Sequence, residues 1–178
     1  MELWFYVRRV LIILVTIIGG FLLQCSVFSA FDVAGVVPNV LLIIVSVYGF
    51  TRGSATGSAV GFACGILLDI FGSAHFGLFT LIYLLVGYFN GIFKAFFYGS
   101  DLKLPLLFIG LSDLLYGSLM FLALFLLEQR FEPSFYFPEV VIPETVYTLA
   151  VAVFLYYPMY NIDNWLDNSE KRGSKIIG

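Results

Sequence analysis

Apolar residues fall in six blocks, at positions 10–28, 36–50, 53–71, 76–97, 104–127 and 140–160, separated by short polar or glycine-containing turns. Five of the blocks reach the roughly 18 to 20 residues that a helix needs to cross a hydrocarbon core. The second is short. At 1.5 Å per residue it rises only about 22 Å, so it either begins earlier, near Phe31, or sits in a thinned or protein-lined part of a membrane. Pro38 suits its first helical turn, where a missing N–H costs nothing. The stretch 36–71 reads as a helical pair broken at Thr51 and Arg52.

Within the third block, every fourth residue is glycine: Gly53, Gly57, Gly61 and Gly65, with Asp69 the next step along the row. Residues four apart lie one above another on a helix, so the row is a smooth groove ending in a carboxylate. In lipid, apolar surface gives helices little drive to associate, and small residues that let backbones approach take over. The row is expected to pack on another helix of the same chain, the alternative being a helix of a partner protein.

Composition agrees with the blocks. The chain is 61% hydrophobic and 12% charged, against roughly a quarter charged in soluble domains, and its mean hydropathy is +0.99. An all-α integral membrane protein with six transmembrane helices follows, as a single membrane domain at 1–162 and a short tail at 163–178. A soluble catalytic domain has no room, and the net charge of −3 says little about partners.

The basic residues orient the chain. With a cytoplasmic N-terminus and six spans, eight of the 9 lysines and arginines fall inside (Arg8, Arg9, Arg52, Lys94, Lys103, Lys171, Arg172, Lys175), and Arg130 alone falls outside. Removing one span would carry Lys94 and Lys103 outward. Aromatic residues at the block ends give the same topology, with both termini cytoplasmic. Arg8 and Arg9 precede an apolar run longer than the roughly 7 to 15 residues of a signal core, so the first block is an uncleaved span. Gln24 stands where a lipoprotein site before Cys25 would carry a small residue. Cys25 and Cys64 both lie inside spans and indicate no disulfide framework.

Motifs for chemistry are missing: the sequence has no GxxxxGK[ST], HExxH or CxxC, and its 1 histidine excludes a multi-histidine metal site. His75, in a short outer turn, reads as a solvated imidazole. No catalytic residue, cofactor or metal is expected, and no nucleic-acid partner. Asp113 lies about 14 Å past the inner boundary of the fifth block, where a charge costs about 2.5 to 3.5 kcal/mol. It is expected to be neutral or hydrogen-bonded, for instance to Ser112, Asn90 or a backbone carbonyl. Asp69 is near enough to its helix end to reach the interface, and Lys94 can snorkel. The connection 128–143 carries Phe131, Phe135, Tyr136 and Phe137 among Pro133, Pro138 and Pro143. It reads as non-helical and as the largest outer surface for a partner.

The order of these features resembles the rod shape-determining protein MreD family. The specific block runs from Pro38-Asn39 through Arg52, Gly61-Phe62, Gly65 and Asp69 to Gly72 and Gly77. Leu111-Ser112-Asp113, Pro143-Glu144, Tyr147-Thr148 and Pro158 fit more loosely, and the resemblance spans about residues 5 to 162. It implies a non-enzymatic component of bacterial cell elongation in the cytoplasmic membrane. The implied partners are MreC, which has one span and a large extracytoplasmic domain, then MreB, RodA and a class B penicillin-binding transpeptidase. It also implies a fold similar to the S components of energy-coupling factor vitamin transporters. Such an S component is the alternative function, although it should enclose an outer pocket lined by several polar groups. A small membrane enzyme is third, disfavoured by the lack of clustered acids, histidines or serines beside a base.

Overall fold

The computed structural model describes residues 2–28, 35–72, 76–96, 103–128 and 136–175, and every regular element among them is a helix. Helix α1 (Glu2–Leu22) continues into a π turn, Leu23–Phe28; α2 is Val40–Arg52 and α3 is Ser54–Gly72. Helix α4 (Leu78–Ile92) closes in a 3-10 turn, Phe93–Phe96. Helix α5 is Lys103–Glu128, and α6 (Ile142–Lys175) follows a second π turn, Phe137–Val141. Among the described residues, five segments are long and apolar enough to cross a membrane, and α2 is a shorter apolar helix. Large apolar side chains such as Val15, Phe71, Leu81, Leu126 and Phe154 stand exposed on the outer faces, a surface that a water-soluble monomer avoids and a bilayer requires.

The short second block turns out to be the axis of the molecule. Every residue from Val40 to Phe50 is buried, and α2 touches each of the other five helices. Its 13 residues rise only about 20 Å, well short of a bilayer core, but a helix jacketed by protein need not match lipid thickness. The protein-lined option is therefore the one realised. An earlier start is not: residues 35–39 are non-helical, and Phe31 itself lies outside the described residues. Pro38 precedes the helix rather than opening it, because Asn39 takes the cap.

The break between α2 and α3 falls at Gly53, one position beyond the predicted pair, and Thr51 and Arg52 complete the last turn of α2. Gly53 has φ +96°, a left-handed conformation that residues with a Cβ rarely adopt. Through it the chain folds back while hydrogen bonding continues, from Gly53 N–H to Gly49 O and from Gly57 N–H to Gly53 O.

Two predicted boundaries move. Residues 136–143, expected to be non-helical, form the second π turn and the start of α6. Pro138 sits in the first turn, where a missing N–H removes no bond, whereas Pro143 lies within the continuous helical backbone that runs from the π turn into α6. Helix α6 also passes Pro158 and position 162 without interruption to Lys175.

Candidate functional site

A glycine seam and several polar clusters hold the bundle together, and most of the residues singled out from the sequence belong to one of them. The first is the seam between α3 and α4. A Cβ added at Gly57 would lie 2.4 Å from Gly87 O, at Gly61 2.2 Å from Tyr83 O, and at Gly65 2.3 Å from Thr80 Cα. From the other side, Gly87 meets Gly57 O and Gly91 meets Ser54 Cα. Glycines of α4 thus answer those of α3, and the two backbones lie in direct contact. Gly53 is the corner of the row and still lies against α4, since a Cβ at Gly91 would stand 2.5 Å from Gly53 C; Phe62 is exposed.

Asp69 ends the seam. Gly77 begins α4 in a left-handed conformation (φ +96°) and has no side chain to cap it, so the first N–H groups of α4 need another acceptor. Asp69 supplies one from across the turn, accepting from Phe79 N–H at 3.2 Å, from Thr80 N–H at 2.9 Å and from the Thr80 hydroxyl. A carboxylate at a helix N-terminus is also favoured by the helix dipole. Asp69 is therefore buried and spent within the chain, not at the interface as its position suggested. Gly72, at the end of α3, faces open space.

The second assembly gathers at the N-terminus of α2. Asn39 Oδ1 accepts from Leu42 N–H at 3.1 Å and from the Tyr83 hydroxyl of α4, while Asn39 N–H donates to Thr148 Oγ1 of α6 at 3.0 Å. Gln24, in the first π turn, accepts from Leu41 N–H at 3.1 Å. The opening N–H groups of the buried helix are thereby satisfied by the side chains of Gln24 and Asn39 and by the carbonyls of Pro38 and Asn39. In lipid this is obligatory, since no water can substitute. Sequence reasoning marked Asn39 only by resemblance and gave no role to Gln24, Tyr83 or Thr148. Asn followed by an unbroken apolar run was the capping signal that could have found it.

Asp113 is not where its sequence neighbours suggested. Ser112 and Asn90 bond each other, at 2.8 and 3.0 Å, and Asn90 also donates to Ser46 at 3.1 Å, a closed cluster joining α2, α4 and α5. Adjacent helix positions point about 100° apart, so Asp113 leaves that cluster and faces Thr145 and Thr148 of α6. Among the described residues its buried carboxyl oxygens meet strict hydrogen-bond geometry with none, although the Thr145 and Thr148 side chains lie beside them. The Thr145 hydroxyl already donates to Val141 O at 2.8 Å.

The third assembly lies at the opposite end. Arg52 Nε is 2.7 Å from Asp163 Oδ1, with both side chains under a tenth exposed, and Arg52 Nη2 donates to Asp163 O at 3.3 Å. Lys94 Nζ is exposed and donates to Arg52 O at 3.3 Å. The Arg8 guanidinium lies over the rings of Trp4 and Trp165, a cation–π arrangement. Of the predicted aromatic surface, Tyr136 and Phe137 pack on Phe121 of α5, whereas Phe131, Phe135 and His75 lie outside the described residues. Among the described residues no three histidines, cysteines or acids converge to hold a metal.

Fold and polar assemblies together define a multi-pass, all-helical membrane protein whose described polar groups join helix to helix. The chain belongs to the MreD family: the family model for rod shape-determining protein MreD matches residues 6–163. Membership implies a role in rod shape determination. No match is found among curated proteins or among solved structures.

Proposed function

We propose that this protein is a non-enzymatic scaffold of the bacterial cell-elongation machinery, resident in the cytoplasmic membrane and docked to MreC. MreB, RodA and a class B penicillin-binding transpeptidase belong to the same assembly. The carrying observation is the family match, which covers the chain from α1 to Asp163. The structure supports the reading through the way its polar residues are used. Asn39, Asp69, Asn90 and Arg52 are consumed in helix contacts, as befits a rigid platform for other membrane proteins.

Affinity purification of the tagged chain from its native membrane is expected to recover MreC in comparable amount, and depletion of the chain is expected to turn rods into spheres. Normal rods after depletion would refute the role in shape, while rods lost without MreC in the purified material would refute the docking alone.

Six crossings with both termini in the cytoplasm complete the proposal. In support, the described cations Arg8, Arg52 and Lys94 cluster at one end of the bundle, and positive charge marks the cytoplasmic side. A reporter active only outside the membrane is expected to give signal when fused at Ser134 and none at Gly178. The opposite pattern would overturn the orientation.

A further inference from the structure

We propose that Asp113 is a proton-binding site that fastens α5 to α6: its side chain carries the proton as an O–H aimed at the Thr145 oxygen, and release of that proton loosens the two helices. Gly110, Asp113 and Gly117 lie on one face of α5, since residues three and four apart stack along a helix. A Cβ added at Gly110 would stand 3.3 Å from the Leu149 side chain, and one at Gly117 2.8 Å from that of Val141. This face therefore meets α6 closely on either side of the acid. Asp113 is 2% exposed, and the two threonines beside it, Thr145 and Thr148, are buried as well.

The hydrogen-bond inventory decides which form of the acid fits. A hydroxyl has one hydrogen to give and two lone pairs to receive with. Thr145 has spent its hydrogen on Val141 O at 2.8 Å, so it offers Asp113 lone pairs only. Thr148 receives Asn39 N–H at 3.0 Å and keeps its own hydrogen for a carboxyl oxygen. One neighbour wants a donor and the other an acceptor. A carboxylate only accepts, and it would set a negative oxygen against the lone pairs of Thr145; a carboxylic acid matches both. The ionisable groups around the site give a carboxylate no relief. Among the described residues, Glu144 of α6 and Tyr116 of α5 are within electrostatic range of Asp113. Tyr136 of the second π turn acts on both of them, Tyr83 of α4 packs edge-on against Tyr116 with ring centroids 5.5 Å apart, and α2 contributes Asn39 through Thr148. None of these is basic, and a buried charge without a partner is costly in a membrane.

Thr148 carries the effect beyond α5 and α6. Its oxygen holds Asn39 N–H, and Asn39 caps α2 and receives the Tyr83 hydroxyl. When the O–H bond of Asp113 breaks and its proton passes to a solvent base, the negative oxygen left behind repels the Thr145 oxygen and pulls on the Thr148 hydrogen. Helices α5 and α6 then part or admit water, and the start of the central helix moves with them. The inference goes beyond the shape-determining role and stands without it, because it needs no partner protein.

The test follows the unfolding equilibrium of the full chain in nanodiscs as the pH is raised. A folded state that holds one more proton than the unfolded chain loses stability with rising pH, by about tenfold in the folding constant per pH unit while the difference lasts. Asp113→Asn keeps a donor for Thr145 and an acceptor for Thr148 but cannot ionise. It is expected to match the parent protein at acidic pH, to lack this pH dependence, and to exceed the parent by at least about tenfold at alkaline pH. Amide hydrogen exchange in α5 and α6, compared at each pH with Asp113→Asn, is expected to quicken in the parent alone. A parent that gains stability with pH relative to Asp113→Asn, or that shares its pH profile and exchange, would overturn the proposal. Should Asp113→Asn fail to fold, infrared spectra of Glu144→Gln, which lacks the other acid in range, read the same proton. The C=O stretch of a protonated carboxyl is expected at neutral pH and should give way to carboxylate as the pH rises, whereas carboxylate bands alone at neutral pH would overturn the proposal.

Discussion

Gly61→Ala is expected to abolish accumulation of the protein in the membrane, whereas Gly72→Ala in the same helix leaves it unchanged. The new methyl at position 61 would stand 2.2 Å from Tyr83 O and 2.7 Å from Tyr83 C. Both atoms are backbone, so no side-chain rotation relieves the clash and α3 must move away from α4. That movement would also separate Gly57 from Gly87 and Gly65 from Thr80. Overpacking a fitted interface costs about 1 to 3 kcal/mol, and more where backbone must shift. Alanine's helix propensity returns only about 1 kcal/mol. At position 72 the same methyl meets nothing within 4 Å. Quantifying the membrane-inserted fraction and its melting temperature in nanodiscs distinguishes the two, and Gly61→Leu should exceed Gly61→Ala. A stable, well-inserted Gly61→Leu protein that no longer copurifies with MreC would show that the row serves a partner instead.

The contrast between these glycines also explains how much of the architecture could be read in advance. Spacing of four along a helix is local information, and it marks Gly53, Gly57, Gly61 and Gly65 as a packing face. The partner surface on α4, built from Gly87, Gly91 and the backbone at Tyr83 and Thr80, lies elsewhere in the chain and was not legible. The same holds for the polar residues. Asp69 looked free to reach the interface because nothing in its own helix shows that α4 begins with a glycine unable to cap itself. Proximity in sequence and depth offers Asp113 partners such as Ser112, Asn90 or a backbone carbonyl, but the helical twist sends it to the threonines of α6. The block 36–50 was too short to cross alone, and that anomaly correctly allowed for a protein-lined environment. Its centrality depended on five other helices, which no single segment could announce.

Charge pairing across the bundle was equally invisible in the sequence, and it carries the other large expected effect. Arg52, at the end of α2, and Asp163, well along α6, bond through Nε and Oδ1 at 2.7 Å while Nη2 reaches the backbone of Asp163. With both side chains under a tenth exposed, removing either partner leaves a buried ion without its counter-charge, a loss of about 3 to 5 kcal/mol. Arg52→Ala and Asp163→Ala are therefore each expected to destabilise the protein strongly. Replacing both by apolar residues of similar size, Arg52→Met/Asp163→Leu, removes the orphaned charge together with the pair, so it should cost less than either single change. Arg52→Lys keeps the charge but not the two-pronged geometry, and an intermediate loss is expected. Melting temperatures of the set in nanodiscs close the double-mutant cycle. Single losses that simply add in the double variant would mean that the two side chains act independently. A cycle dominated by coupling would instead make this buried pair the fastening of the central helix to α6, at the end where Lys94 also ties α4 to Arg52.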